Sequence, residues 1–178
     1  MSELPTFRYH PAPLATGEII PSENSCRCCG EQRGYLYGGP VYCVEPVRGE
    51  ICPWCVADGS AAARYDAHFT DTIRAPTEVP EPVLTELLTR TPGFTAWQQH
   101  YWLYHCADAA AFLGRVGYPE LEAVPEALEM VLHENDEFHW SAEQSERYVR
   151  SLDPDGDATG YLFRCLHCGR HLAYTDMS

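Results

Sequence analysis

Six cysteines of this chain fall in three Cys-x-x-Cys pairs, Cys26/Cys29, Cys52/Cys55 and Cys165/Cys168, and glycine follows two of the pairs directly, at Gly30 and Gly169. A Cys-x-x-Cys turn aims backbone N–H groups at its two sulfurs and favours the thiolate, the form that binds soft metal ions. Glycine supplies the positive φ that closes such a turn. The spacing is that of zinc knuckles. Cys26, Cys29, Cys52 and Cys55 together offer four soft ligands, the set of a closed structural zinc site.

The third pair leaves the count open. Cys165 and Cys168 need partners, and the candidates are His105 and Cys106, adjacent in sequence, with His171, Cys28 and Cys43 behind them. On a helix, neighbouring side chains diverge by about 100°, so one of His105 and Cys106 is expected at the ion rather than both. Alternatively, the third pair completes a site with the first or second. A site of two cysteines and one histidine with an open position could activate water, because bound zinc brings the pKa of water to about 7. The alternative to a structural role is therefore a zinc-dependent, hydrolase-like enzyme centred on Cys165 and Cys168.

Other constellations carry less. Cys52-Pro-Trp-Cys55 has the spacing of a redox dithiol, which should open a helix after a buried strand. Its surroundings read as hairpin and turn, which favours the zinc knuckle. His133, Glu137 and His139 do not form His-Glu-x-x-His and sit in an acidic run, so they read as a solvated helix face. Asp153, Asp155 and Asp157 begin like a calcium loop, but Ala158 and Arg164 stand where glycine and the bidentate glutamate are required. No phosphate-binding loop or nucleophile elbow is recognisable.

The elements that must position these residues are predicted as α+β: a zinc-knuckle β-hairpin module, a helical middle and a C-terminal strand with its knuckle. Residues 1–24, rich in proline, form an extended arm, ordered if Phe7 and Tyr9 find a groove. Residues 25–75 form the knuckle module, in which Tyr35-Leu-Tyr and Val41-Tyr-Cys-Val make a hairpin across Gly38-Gly39-Pro40. A short helix follows near residues 58–65. Residues 76–152 are expected to be helical: 83–89, then 94–114, where Trp97, Tyr101, Tyr104, His105, Asp108 and Phe112 recur at spacings of three and four, then one or two acidic amphipathic helices over 119–150 with Phe138 and Trp140 among the apolar residues. Residues 153–178 supply a polar loop, the strand at 161–164 and the third knuckle. The whole is expected to fold as one domain.

Composition narrows the function classes. With 26 acidic against 12 basic residues the net charge is −14 and the sequence pI about 4.8. Phosphate backbones are repelled by such a surface, so nucleic-acid binding is not expected, whereas a basic protein partner would be attracted. No run of apolar residues reaches membrane-spanning length, and the first residues lack the features of a signal peptide, so the expected location is the cytoplasm. An odd total of nine cysteines also argues against complete disulfide pairing.

Several of these segments, read together, resemble one family. They are Phe7-Arg-Tyr-His-Pro-Ala-Pro-Leu-Ala-Thr-Gly, Cys26-Arg-Cys-Cys-Gly, Arg33-Gly-Tyr-Leu-Tyr, Cys52-Pro-Trp-Cys-Val-Ala-Asp-Gly-Ser-Ala-Ala, Thr91-Pro-Gly-Phe, Trp97-Gln-Gln-His-Tyr-Trp-Leu-Tyr-His-Cys and Tyr161-Leu-Phe-Arg-Cys-Leu-His-Cys-Gly. The chain resembles the CbrC family of small bacterial proteins over most of its length, the acidic segment 119–157 excepted. The resemblance implies a link to colicin tolerance and transfers no catalytic residue. Cys43 lies outside the pattern.

Overall fold

In the computed structural model, residues 3–137 and 139–178 are described, and of residues 136 and 137 the backbone only. The elements in chain order are β1 (Ile19–Pro21), β2 (Tyr35–Tyr37), α1 (Pro53–Ala57), α2 (Ser60–Tyr65), α3 (Glu81–Arg90), β3 (Tyr104–His105), β4 (Asp108–Ala109), β5 (Ala111–Val116), α4 (Tyr118–Glu122), α5 (Pro125–Glu137), α6 (Ala142–Arg150), β6 (Ala158–Arg164) and β7 (His171–Met177). The architecture is α+β, with small antiparallel sheets.

The largest sheet is antiparallel in the order β5-β6-β7. Period-2 alternation sends Tyr161, Phe163, Leu172 and Tyr174 to one face and Leu162 and Ala173 to the other, while in β5 a register shift between Phe112 and Gly114 puts Phe112 on the first face and Val116 on the second. The aromatic face meets Tyr9, Phe94 and Trp102, all fully buried, with the Phe94 ring stacked 3.9 Å from Phe112. The second face is covered by apolar residues of α4, α5 and α6, among them Leu121, Val131 and Val149. Burying rings of this size contributes roughly 3 kcal/mol each. No helix among the described residues is long and apolar enough to cross a membrane.

Local rules account for several boundaries. α3 has proline at its start, where a missing N–H costs nothing, and stops before Thr91-Pro92 because a residue preceding proline avoids the helical region. α6 opens on a capping box: the Gln144 N–H donates to Ser141 Oγ at 3.2 Å and the Ser141 N–H to Gln144 Oε1 at 2.8 Å. The acidic stretch holds three helices rather than one or two. Phe138 lies outside the described residues.

Two sequence expectations are corrected. Residues 94–114 are not helical: they run as irregular chain into the β3–β4 hairpin and then β5. The aromatic spacing that suggested a helix belongs to a segment buried on more than one side, between α3, the sheet and the arm, and aromatic residues favour extended chain. Likewise, Tyr35–Tyr37 does not pair with residues 41–44. Its partner is β1 in the arm, in the register Ile19↔Tyr37, Ile20↔Leu36 and Pro21↔Tyr35, and Tyr37 bridges Ile51 on its other side. Both edges of β2 are thereby filled, and Pro40 has no N–H to offer a ladder. Tyr42 bridges His68 instead. The arm itself is ordered: Phe7 and Tyr9 are both buried, and the Phe112 N–H donates to the Tyr9 carbonyl at 2.8 Å.

Candidate metal centres

The first and third knuckles have the same backbone. In the first, the Cys26 N–H donates to the Glu31 carbonyl at 2.8 Å, the Gly30 N–H to the Cys26 carbonyl at 2.7 Å, and Gly30 has φ +78°. In the third, the Cys165 N–H donates to the Arg170 carbonyl at 2.8 Å, the Gly169 N–H to the Cys165 carbonyl at 3.1 Å, and Gly169 has φ +77°. Sulfurs collect N–H donors in these turns, from Cys28 and Cys52 onto Cys26 and from His167 onto Cys165. The second pair differs, because Cys52 is the N-cap of α1 and Cys55 lies within it. Helical context therefore cannot separate this pair from a redox dithiol, contrary to the expectation from sequence. Its surroundings can, since two further cysteines face it.

Cys26, Cys29, Cys52 and Cys55 form one cluster, with all four sulfurs within 4.8 Å of one another. Cys26 Sγ lies 3.9 Å from Cys55 Sγ, and Cys29 Sγ 3.8 Å from Cys52 Sγ. Four sulfurs at about 2.3 Å from a tetrahedral ion would be about 3.8 Å apart, so the cluster fits a four-thiolate metal site. Three of the four are buried beside Ile19, Leu36, Tyr37, Ile51 and Phe69, while Cys29 reaches the surface. Burial raises the Cys26 thiol pKa, but the N–H groups of Cys29, Cys52 and Cys28 outweigh it and leave the thiol below its usual range. Burial, with the neighbouring Cys26, pushes Cys52 up to about 12, and Cys55 is raised further, burial again being the largest cause. Thiols this close cannot all ionise unaided.

The second cluster unites His105, Cys106, Cys165 and Cys168, their ligand atoms again within 4.8 Å of one another. His105 Nδ1 lies 3.1 Å from Cys106 Sγ and 3.4 Å from Cys168 Sγ. A tetrahedral ion would hold nitrogen and sulfur about 3.6 Å apart, so this donor set also fits a metal ion. Both His105 and Cys106 face the cluster, which corrects the choice of one over the other. The reason is the turn: between β3 and β4 lie only Cys106 and Ala107, both at φ +53°. Such two-residue hairpins favour glycine and asparagine, and each left-handed residue with a side chain costs roughly 1–2 kcal/mol. Burial raises the Cys165 thiol, yet the N–H groups of Cys168 and His167, with His105, bring it down to about 6. Cys106 is pushed up to about 11, by desolvation first and then by the Cys165 and Cys168 sulfurs. Cys106 and Cys168 are exposed, so this cluster is the more open of the two.

The remaining candidates lie elsewhere. Cys28 Sγ contacts Ser60 Oγ at 3.8 Å, the Cys43 thiol donates to the Glu45 carbonyl at 2.8 Å, and His171 Nδ1 lies 3.1 Å from Glu126 Oε1. The third pair is not joined to the first or second. Of the proposed set at His133, Glu137 and His139, the Glu137 side chain is outside the described residues. What sequence reasoning missed is Asp108, buried opposite His105 in the β3–β4 pair. Its carboxylate accepts from Arg8 at 2.6 Å, Tyr9 Oη at 2.8 Å, His167 Nε2 at 2.8 Å and the Ala109 N–H at 2.9 Å. Position two residues beyond Cys106 was its only signal.

Comparison with known proteins places the chain. Residues 4–177 match the model of the Uncharacterised protein family (UPF0167), and the chain belongs to that family. It is similar to UPF0167 proteins of Mycobacterium bovis and Mycobacterium tuberculosis, each 54% identical over 177 residues, which are 99% of this chain and 95% of the relative. A UPF0167 protein of Pseudomonas aeruginosa is 45% identical over 169 residues, 94% of this chain and 93% of that protein. No solved structure matches.

Proposed function

We propose that this UPF0167 protein is a zinc-stabilised binding protein, with one zinc held by Cys26, Cys29, Cys52 and Cys55 and a second by His105, Cys106, Cys165 and Cys168. The observation that carries this reading is that each cluster supplies four donor atoms from the protein itself. Thiolate-rich tetrahedral sets suit zinc, and four protein ligands leave no position for water or substrate. A hydrolase centred on Cys165 and Cys168 needs such a position, so the fourth donor weighs against it. Zinc in these sites would supply folding free energy, roughly 10 kcal/mol or more per structural ion. The strands beside the first cluster are three residues long, too short to hold its knuckles without such help, whereas the third knuckle closes the hairpin of the seven-residue strands β6 and β7.

The binding role rests on charge. A net charge of −14 would steer a basic protein toward the surface and repel nucleic acid. The CbrC resemblance implies a link to colicin tolerance, which fits a tolerance factor, and on this reading the basic partner is a toxin or an envelope-stress component. Thiolate ligands need a reducing compartment, which favours the cytoplasm.

X-ray absorption at the zinc edge tests the assignment. Over two ions, the expected shell is seven sulfurs and one nitrogen. An oxygen ligand at either ion would overturn the structural reading in favour of the enzyme.

A further inference from the structure

We infer that the cleft around Tyr101 is a binding site for an arginine or lysine side chain of a basic polypeptide. The inference rests on the basic-partner reading above and gives that partner a place to dock. Tyr101 is packed on one face by Tyr174, with ring centroids 3.9 Å apart, and on the other by the guanidinium of Arg74, 3.7 Å from its ring centroid. Arg74 is exposed and follows Ile73, which is 85% exposed. The chain's own cation already occupies part of the cleft.

Two cavities of about 230 and 360 Å³ flank this stack, and both are lined by Arg74, Tyr101, Glu134 and Tyr174. The smaller one adds Trp140 and Tyr148, whose rings meet edge to face at 5.0 Å, and the carboxylate of Asp176. Asp176 is held rigidly, Oδ1 accepting from Tyr161 Oη at 2.9 Å and Oδ2 from the Gln98 N–H at 3.0 Å. Arg74 is the sole arginine or lysine among the described residues lining either cavity, against the two acids Glu134 and Asp176. Burial, and then the nearby Glu134 charge, raise the Tyr101 phenol, while Arg74 acts the other way. Aromatic faces beside carboxylates recognise cations, and a planar guanidinium best of all.

The test is fluorescence anisotropy with a labelled peptide of alternating arginine and glycine, titrated with the purified full chain at low salt. Trp140→Ala and Tyr148→Ala should each weaken binding about threefold to fivefold. Arg74→Ala, which vacates the face of Tyr101, should tighten it by about as much. Arg115→Ala removes the same charge from an exposed pair with Asp155 and is the control, expected to change affinity less than about twofold. Peptide binding that is equal in wild type, Trp140→Ala and Tyr148→Ala, with Arg74→Ala and Arg115→Ala alike, would overturn the cleft while leaving the basic-partner reading standing. No binding by the wild type would overturn both. Preference for an alternating glutamate–glycine peptide, lost in Arg74→Ala, would make the cleft an anion site and overturn the inference.

Discussion

His167 Nε2 lies 2.8 Å from Asp108 Oδ2, the oxygen that also pairs with Arg8 at 2.6 Å, so one buried carboxylate ties the third knuckle to the N-terminal arm. Asp108 also accepts from the Tyr9 hydroxyl, and burial together with that carboxylate holds the Tyr9 phenol protonated far above its usual range. The second candidate metal cluster and the arm therefore share a support.

Replacing Asp108 should be costly because it strands several donors at once. Asp108→Asn is expected to lose roughly 2–3 kcal/mol in urea denaturation. His167→Ala, at a half-exposed position, should lose under about 1 kcal/mol. Equal effects from the two substitutions would show that Asp108 is not the hub.

Cys28 and Cys43 provide a negative control for the ligand sets. Among the described residues neither thiol belongs to a cluster; Cys28 Sγ contacts Ser60 Oγ and the Cys43 thiol donates to the Glu45 carbonyl. Cys28→Ser and Cys43→Ser should keep full metal content by elemental analysis and change stability by about 0.5 kcal/mol or less. Loss of one ion in either variant would mean the ligand sets are wrongly drawn.

Backbone constraints differ among the glycines. A Cβ at Gly93 would lie 1.9 Å from the Phe69 carbonyl oxygen, whereas at Gly169 it would meet nothing within 4 Å and face only the left-handed φ of +77°. Gly169→Ala should cost about 1 kcal/mol. Gly93→Ala forces backbone apart and should cost several times more, or prevent folding. Similar melting temperatures for the two variants would contradict this packing.

Two buried histidines give the fold an acid limit. Burial lowers His10 and His100 from 6.5 to about 4. Pro92 offers only a carbonyl, so His10 Nδ1 carries the proton and donates at 2.8 Å, while Nε2 faces the Thr16 hydroxyl at 2.7 Å. The folded state keeps both rings neutral, while the unfolded chain takes up protons near pH 6.5. Their stabilisation is thus complete above pH 6.5 and declines as pH falls toward 4, by roughly 3 kcal/mol for each ring across that window. His100→Gln should flatten the dependence of unfolding free energy on pH between 6.5 and 4. Ligand protonation is common to variant and wild type, so an unchanged slope would rule His100 out.

What was legible in the sequence is what the chain closes locally. The knuckles at Cys26 and Cys165 are made by their own backbone and one glycine each. The partners of the third knuckle, His105 and Cys106, stood first among the candidates in the sequence, but that both face it was not legible, because Cys106 and Ala107 form a hairpin turn without the glycine or asparagine that announces one. The aromatic spacing from Trp97 to Phe112 imitated a helix, yet Trp97, Gln98 and Gln99 are exposed while His100, Trp102 and Phe112 are buried, a pattern without a helical period. The strand partner of Tyr35–Tyr37 was hidden in a three-residue strand ending in proline, within an arm that shows no alternation. The role of Asp108 was not legible, since its partners Arg8 and Tyr9 on one side and His167 on the other lie far from it in the chain.

The most direct test is zinc per chain by elemental analysis of protein purified under reducing conditions, for wild type, Cys26→Ser and Cys165→Ser. Two closed, independent centres predict two zinc ions in the wild type, retention of the second centre's ion in Cys26→Ser, and retention of the first centre's ion in Cys165→Ser. A wild type without zinc, or full zinc content with unchanged melting temperature in both variants, would contradict the account.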